Sequence, residues 1–189
     1  MKKAIFLLLT VFVFILSAKA QNLQFGVFGE WKDEFFLAPG PNIKYVEFYS
    51  ISANGFIRAS EKRFGVEGAL GFEKSFGAYY KELDNYNTFN YHELNRISLT
   101  AMPFVYVMNK PKNKIDLGLG LKYYVNLNNE LTAPMPTYIN YAKIASKFEA
   151  NYTHKKFQMG LFAEYDILTD FEALPKPISF GVRFGYLGL

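Results

Sequence analysis

Two histidines are the first residues to test for chemistry, because His beside Ser is the ordinary general-base and nucleophile pair. The chain carries only His92 and His154. His92 stands in Tyr91-His92-Glu93, six residues before Ser98. An even step puts both on one face of a strand, but about 20 Å apart, so a productive pair would need a serine from another strand. His154 lies in a short polar turn at the opposite end of the strands. Each reads as a solvated or structural histidine, and no catalytic residue is expected.

The charged residues are more informative. Glu67, Glu73, Asp116, Glu149, Glu164 and Asp166 alternate in position with Lys122, Lys143, Lys147 and Arg183 along segments of period two. Glu30 and Arg96 fall on the same face. Carboxylates at such spacing could form acid/base pairs or hold a metal. With cations of opposite sign beside them, they read instead as a buried ion-pair network. Gly65-Val66-Glu67-Gly68 lacks a following Gly-Lys-Ser/Thr and cradles no phosphate. No cofactor and no metal are expected.

The elements that position these residues begin after a leader. Lys2 and Lys3 precede an apolar run, Ala4–Leu16, broken only by Thr10; Ala18-Lys19-Ala20 then completes a small-residue cleavage pattern. Residues 1–20 read as a signal peptide, since thirteen apolar residues fall short of the roughly 20 that span a membrane as a helix. Residues 21–189 remain as one domain. The formal net charge of +4 includes the three lysines of the leader. Without them 18 basic residues face 17 acidic ones, which removes any case for nucleic acid. There is no cysteine, so stability must come from a core rich in Phe and Tyr, 20 and 14 of them.

The mature chain has a period of two. Ile115, Leu117, Leu119, Leu121, Tyr123 and Val125 share a face opposite Asp116, Gly118, Gly120, Lys122, Tyr124 and Asn126. Phe157–Ile167 and Phe64–Ala78 repeat the pattern. Turn signals divide the chain into eight strands near 22–31, 43–58, 63–80, 91–108, 114–126, 140–153, 157–168 and 178–187. Short turns at Ala59–Lys62, Asn109–Asn113 and His154–Lys156 alternate with longer loops at Lys32–Asn42, Lys81–Asn90, Leu127–Ile139 and Thr169–Pro177, which is an up-and-down meander. Apolar residues on both faces of Ile43–Arg58 suggest a kink at Asn54-Gly55 that switches the strand's face. Lys74 falls on an apolar face and must snorkel.

Two barrels fit: a soluble carrier with its apolar residues inside around a lipid, and a membrane barrel with them outside. The second face decides. It is sparse in charge and rich in glycine, with Gly65, Gly71, Gly77, Gly118, Gly120, Gly160, Gly181 and Gly185, which suits an eight-stranded interior barely wide enough for its own side chains. Trp31, Tyr45, Tyr79, Tyr80, Tyr91, Tyr123, Tyr124, Tyr141 and Tyr165 cluster toward the long loops, where an interfacial girdle would sit. The expectation is an all-β chain, an eight-stranded antiparallel up-and-down transmembrane β-barrel behind a cleavable signal peptide. Side chains such as Phe162 should block its lumen.

The last strand, Ser179-Phe180-Gly181-Val182-Arg183-Phe184-Gly185-Tyr186, carries a more specific likeness. With the leader and the strand pattern, it resembles small outer-membrane β-barrel proteins of Gram-negative bacteria, the outer-membrane protein A/X-like group, and within it the porin-family barrels of Bacteroidota. In that family a polar-x-Gly-x-x-aromatic-x-aromatic ending is the assembly signal, here Ser179, Gly181, Phe184 and Tyr186. Leu187-Gly188-Leu189 departs from it by running three residues past the aromatic. The resemblance implies an outer-membrane location with both termini periplasmic, and outer-membrane lipids as surroundings. It also implies barrel-assembly machinery and periplasmic chaperones as partners during biogenesis.

From these readings follows a small monomeric barrel with a structural or surface-interaction role, its long loops, such as Leu131–Pro136, offering a surface to a partner. An accessory part in envelope assembly or protein secretion is the first alternative, and a secreted lipid-binding barrel the second. A lipid-A-modifying enzyme is the remaining class, without a visible active site.

Overall fold

The computed structural model describes residues 22–35, 43–83, 86–127, 142–169 and 178–188. The leader and the segment Leu131–Pro136 lie outside them. Eight strands run in chain order: β1 (Asn22–Phe35), β2 (Ile43–Glu61), β3 (Phe64–Leu83), β4 (Tyr86–Asn109), β5 (Asn113–Asn126), β6 (Ala142–His154), β7 (Phe157–Thr169) and β8 (Ile178–Leu187). Each pairs antiparallel with its sequence neighbour, and β1 pairs with β8, so the sheet closes into a barrel without an edge. Closure gives every strand two ladder partners, which a sheet in lipid requires.

Period-two patterning sorts the side chains into an inner and an outer set. Along β5, Asp116, Gly118, Lys122 and Tyr124 point into the barrel while Leu117, Leu119, Leu121 and Val125 are exposed on its outside. Outside, Leu23, Phe25, Trp31, Phe72, Leu161 and Phe184 continue this apolar surface around the wall. Inside, Arg58, Arg183, Lys122, Lys147, Glu67 and Glu149 are among the largest side chains with almost no solvent access. This inversion of the usual soluble arrangement is what a hydrocarbon surrounding demands. The lipid-carrier alternative, which needs an apolar interior, does not match it.

Three expectations about the wall are corrected. Asn54-Gly55 does not switch faces: β2 is regular there, with Phe28 opposite Asn54 and Val27 opposite Gly55, and Ser50, Ser52, Asn54, Phe56 and Arg58 all point inward. The apparent mixing arose because Phe56 fills the lumen and small Ala53 and Gly55 lie outside. The expected loop Lys32–Asn42 begins later, since β1 continues through Phe35 and pairs Lys32 with Ser50 and Gly181. The expected loop Lys81–Asn90 is mostly ladder, with Leu83 opposite Tyr86.

The interior is crowded enough that glycine is obligatory in places. A Cβ on Gly181 would collide with the Phe162 ring and the carbonyl oxygen of Trp31, and one on Gly120 with the backbone of Ala101 and Met102. Large neighbours and bare glycines interlock across the lumen, as expected of a narrow barrel.

Candidate functional site in the barrel lumen

The lumen holds two linked clusters of charge. Nearer the short turns, Arg58 from β2 forks onto Asp116 of β5 through two bonds of 2.9 Å, and its Nε donates to Glu67 at 2.6 Å. Arg183 from β8 donates to both oxygens of Glu67, at 2.8 and 3.0 Å, and to Glu149 at 2.7 Å. Asn151 donates to Asp116 and Glu149 and ties the two forks together. Paired, bidentate contacts are the geometry in which a desolvated guanidinium is best satisfied.

Toward the long loops, Lys122 reaches Glu73 at 2.9 Å, Glu164 at 3.2 Å and Glu30 at 3.4 Å. Lys32 donates to Glu164 at 2.8 Å and to the Tyr124 hydroxyl at 3.0 Å, and that hydroxyl donates to Glu164 at 2.8 Å. Arg96 pairs with Glu73 and donates to Ser75 at 2.6 Å. Lys147 joins the two clusters, holding Glu30 on one side and Glu149, at 2.7 Å, on the other.

Aromatic rings sit against these cations. Arg183 lies 3.6 Å from the centroid of Phe28, Arg58 4.4 Å from that of Phe104 and Lys147 4.4 Å from that of Phe162. Below them Phe28, Phe56, Ala69 and Leu187 make a small apolar plug. The rings occupy volume that water would otherwise take, and they favour the cations through their faces.

The positions singled out from sequence are distributed as follows. Glu67, Glu73, Asp116, Lys122, Lys147, Glu149, Glu164 and Arg183 meet in the two clusters. Asp166 faces the lumen at its long-loop end. Lys143 lies in β6, and its side chain is outside the described residues. Ser179 and Gly181 face the lumen, whereas Phe184 and Tyr186 lie exposed on the outer wall. Two network cations escaped the sequence reading: Lys32, assigned to a loop, and Arg58, on the strand thought to switch face. An unbroken period of two through β1 and β2 was the signal that would have found both cations. Tyr124, read by period on the face of Asp116 and Lys122 and also named in the interfacial girdle, is a buried hydrogen-bonding hub of the lumen and not a girdle residue.

Trp31 and Tyr165 stand exposed on the outer wall toward the long loops; Tyr45, Tyr79, Tyr80, Tyr91 and Tyr141 have side chains outside the described residues. Neither histidine meets a serine among the described side chains. His154 is exposed and bonds Asn113 at 2.8 Å, Ser98 is buried in the lumen, and the side chain of His92 is outside the description. Among the described residues no cluster of His, Cys, Asp and Glu could hold a metal ion.

No protein-family model matches the chain, and no curated protein matches it. Solved structures do. Neisserial surface protein A superposes with a TM-score of 0.51 at 9% identity, over 86% of this chain and 94% of that one. The attachment invasion locus protein Ail of Yersinia pestis gives 0.47 at 13% identity, over 87% and 96%. The outer membrane protein OprG of Pseudomonas aeruginosa gives 0.45 at 12% identity, over 87% and 93%. The chain has the fold of the small eight-stranded outer-membrane β-barrels, and its apolar outer wall places it in such a membrane.

Proposed function

We propose that this protein is a monomeric, non-enzymatic outer-membrane barrel with a closed lumen, serving a structural or surface-interaction role through the long-loop end. The observation that carries the reading is the contact of β1 with β5 across the full diameter. Lys32 of β1 reaches Tyr124 of β5, and Lys122 of β5 reaches Glu30 of β1. In an eight-stranded barrel these strands are opposite each other, so the ion pairs and rings block the path a solute would follow. A blocked lumen supports a role carried by the wall itself and the surface it presents rather than by solute passage. Small barrels put short turns on the periplasmic side and longer loops outside. A surface partner would accordingly meet the segments that follow β1, β3, β5 and β7.

The test is reconstitution into a planar lipid bilayer. Folded protein, identified by a heat-dependent shift on detergent gels, should give no sustained conductance. A steady open channel would overturn the closed-lumen reading. Recovery of the mature protein in a periplasmic soluble fraction without detergent would remove the membrane placement altogether.

A further inference from the structure

Three turns close the short-turn end of the barrel, and all three are basic: Lys62-Arg63, Lys110-Pro111-Lys112 and Lys155-Lys156, every one of these residues exposed. Among the described residues Glu61 is the single acidic side chain in or beside these turns and none of the six cations is in an ion pair; Lys156 Nζ donates to the Gly188 carbonyl at 3.3 Å. Hydrogen bonds to the turns' backbone carbonyls tie them to one another and to β8. Asn109 Nδ2 donates to the Lys62 carbonyl at 2.9 Å, the Lys155 N–H to the Lys112 carbonyl at 2.7 Å, and the Leu187 N–H to the Lys156 carbonyl at 2.7 Å. The backbones that carry these cations are thus linked into one collar.

The turns themselves do not ask for lysine. Lys62 and Lys155 hold positive φ, 52° and 55°, a conformation that glycine, asparagine and aspartate adopt more readily. Lysine at both places keeps charge where the backbone would favour another residue. The collar also borders apolar surface directly. Phe64 follows Arg63, Phe157 follows Lys156, and both rings are among the most exposed of the outer wall. Lys156 Nζ sits 5.8 Å from the Tyr186 ring, and Tyr186 with Phe157 and Phe184 walls an open groove of about 630 Å³ floored by Gly29, Ala53 and Gly55.

We infer that this collar binds anionic phospholipid of the leaflet at the short-turn end, phosphate headgroups on the lysines and arginine, and acyl chains along the apolar wall that starts one residue away. Cations bordering a hydrocarbon-facing wall match an amphiphile, whose negative head and acyl chains can meet the collar and the adjoining rings in one molecule; a soluble polyanion would meet the charge alone. The inference rests on the membrane placement and adds to it a lipid preference.

The experiment is native mass spectrometry of the full barrel, released from a neutral detergent, with phosphatidylglycerol or phosphatidylcholine of identical chains. Phosphatidylglycerol should bind at least about tenfold more tightly, and the advantage should shrink as salt rises. The variant K62N/K112Q/K155N/K156Q, whose asparagines suit the positive φ of both turns, should stay folded by gel shift and lose the preference. Equal binding of the two lipids, or a preference unchanged in that variant, would overturn the inference while leaving the membrane barrel in place. Preference for a soluble polyanion such as heparin over phosphatidylglycerol would overturn it too. A protein that binds neither lipid and stays soluble without detergent would overturn the membrane placement instead.

Discussion

Arg183 and Glu67 meet across the barrel from β8 and β3, two bonds of 2.8 and 3.0 Å joining them while the guanidinium lies over the Phe28 ring. Removing the cation leaves Glu67 with Arg58, and Glu149 with Lys147 and Asn151. Arg183→Met should therefore lower unfolding stability by about 3 kcal/mol, the scale of a broken buried pair. Glu67→Met in the same chain should recover part of the loss, with a coupling of about 1 kcal/mol or more. Urea titrations of the barrel in lipid vesicles measure both. Additive losses would show that the pair is not a unit.

Two glycines should answer substitution in opposite ways. Gly181→Ala drives a methyl group into the Phe162 ring and the Trp31 carbonyl, an overpacking that costs about 1–3 kcal/mol. Gly55→Ala meets nothing within 4 Å on the outer wall and should be neutral, or stabilising by about 0.5 kcal/mol through the unfolded chain. The same urea titration compares them side by side.

Leu187 resolves part of the three-residue extension. It pairs with Gly26 and packs with Phe28, Phe56 and Ala69 inside the barrel, so it belongs to the closing strand. Removing Gly188 and Leu189 should leave folding intact. Leu187→Ala should cost about 2–3 kcal/mol as a core truncation. A heat-shift assay of the folded fraction separates the two.

Leu119 probes the surroundings of the wall. It is 64% exposed near the middle of β5. In water an exposed Leu→Arg change stays within about 0.5 kcal/mol, whereas at a bilayer midplane it costs about 2–4 kcal/mol. Leu119→Arg should show the larger loss when folded in vesicles. A neutral result there would mean this face does not meet lipid.

The amino-acid order alone determined the number of strands, their alternation and the side on which the apolar residues lie. The alternation follows from the two-residue period set by strand geometry, the number of strands from the turn signals between the periodic runs, and the outward side of the apolar residues from the glycine-rich, charge-sparse make-up of the opposite face. Asp116 and Lys122 could be placed on one face because they stand six residues apart in an unbroken strand. Only the tertiary structure decided which charges meet. Arg58 and Asp116 are 58 residues apart in sequence, and Lys32 and Glu164 are 132 apart. Their pairing depends on the ladder register and on closure of β1 against β8, neither of which a local pattern carries. Lys32 and Arg58 were misread where local signals, a polar stretch and an Asn-Gly pair, suggested a loop and a kink. The two-sided pairing of a closed sheet outweighed both, because each residue kept in the ladder satisfies backbone groups that a hydrocarbon surrounding cannot.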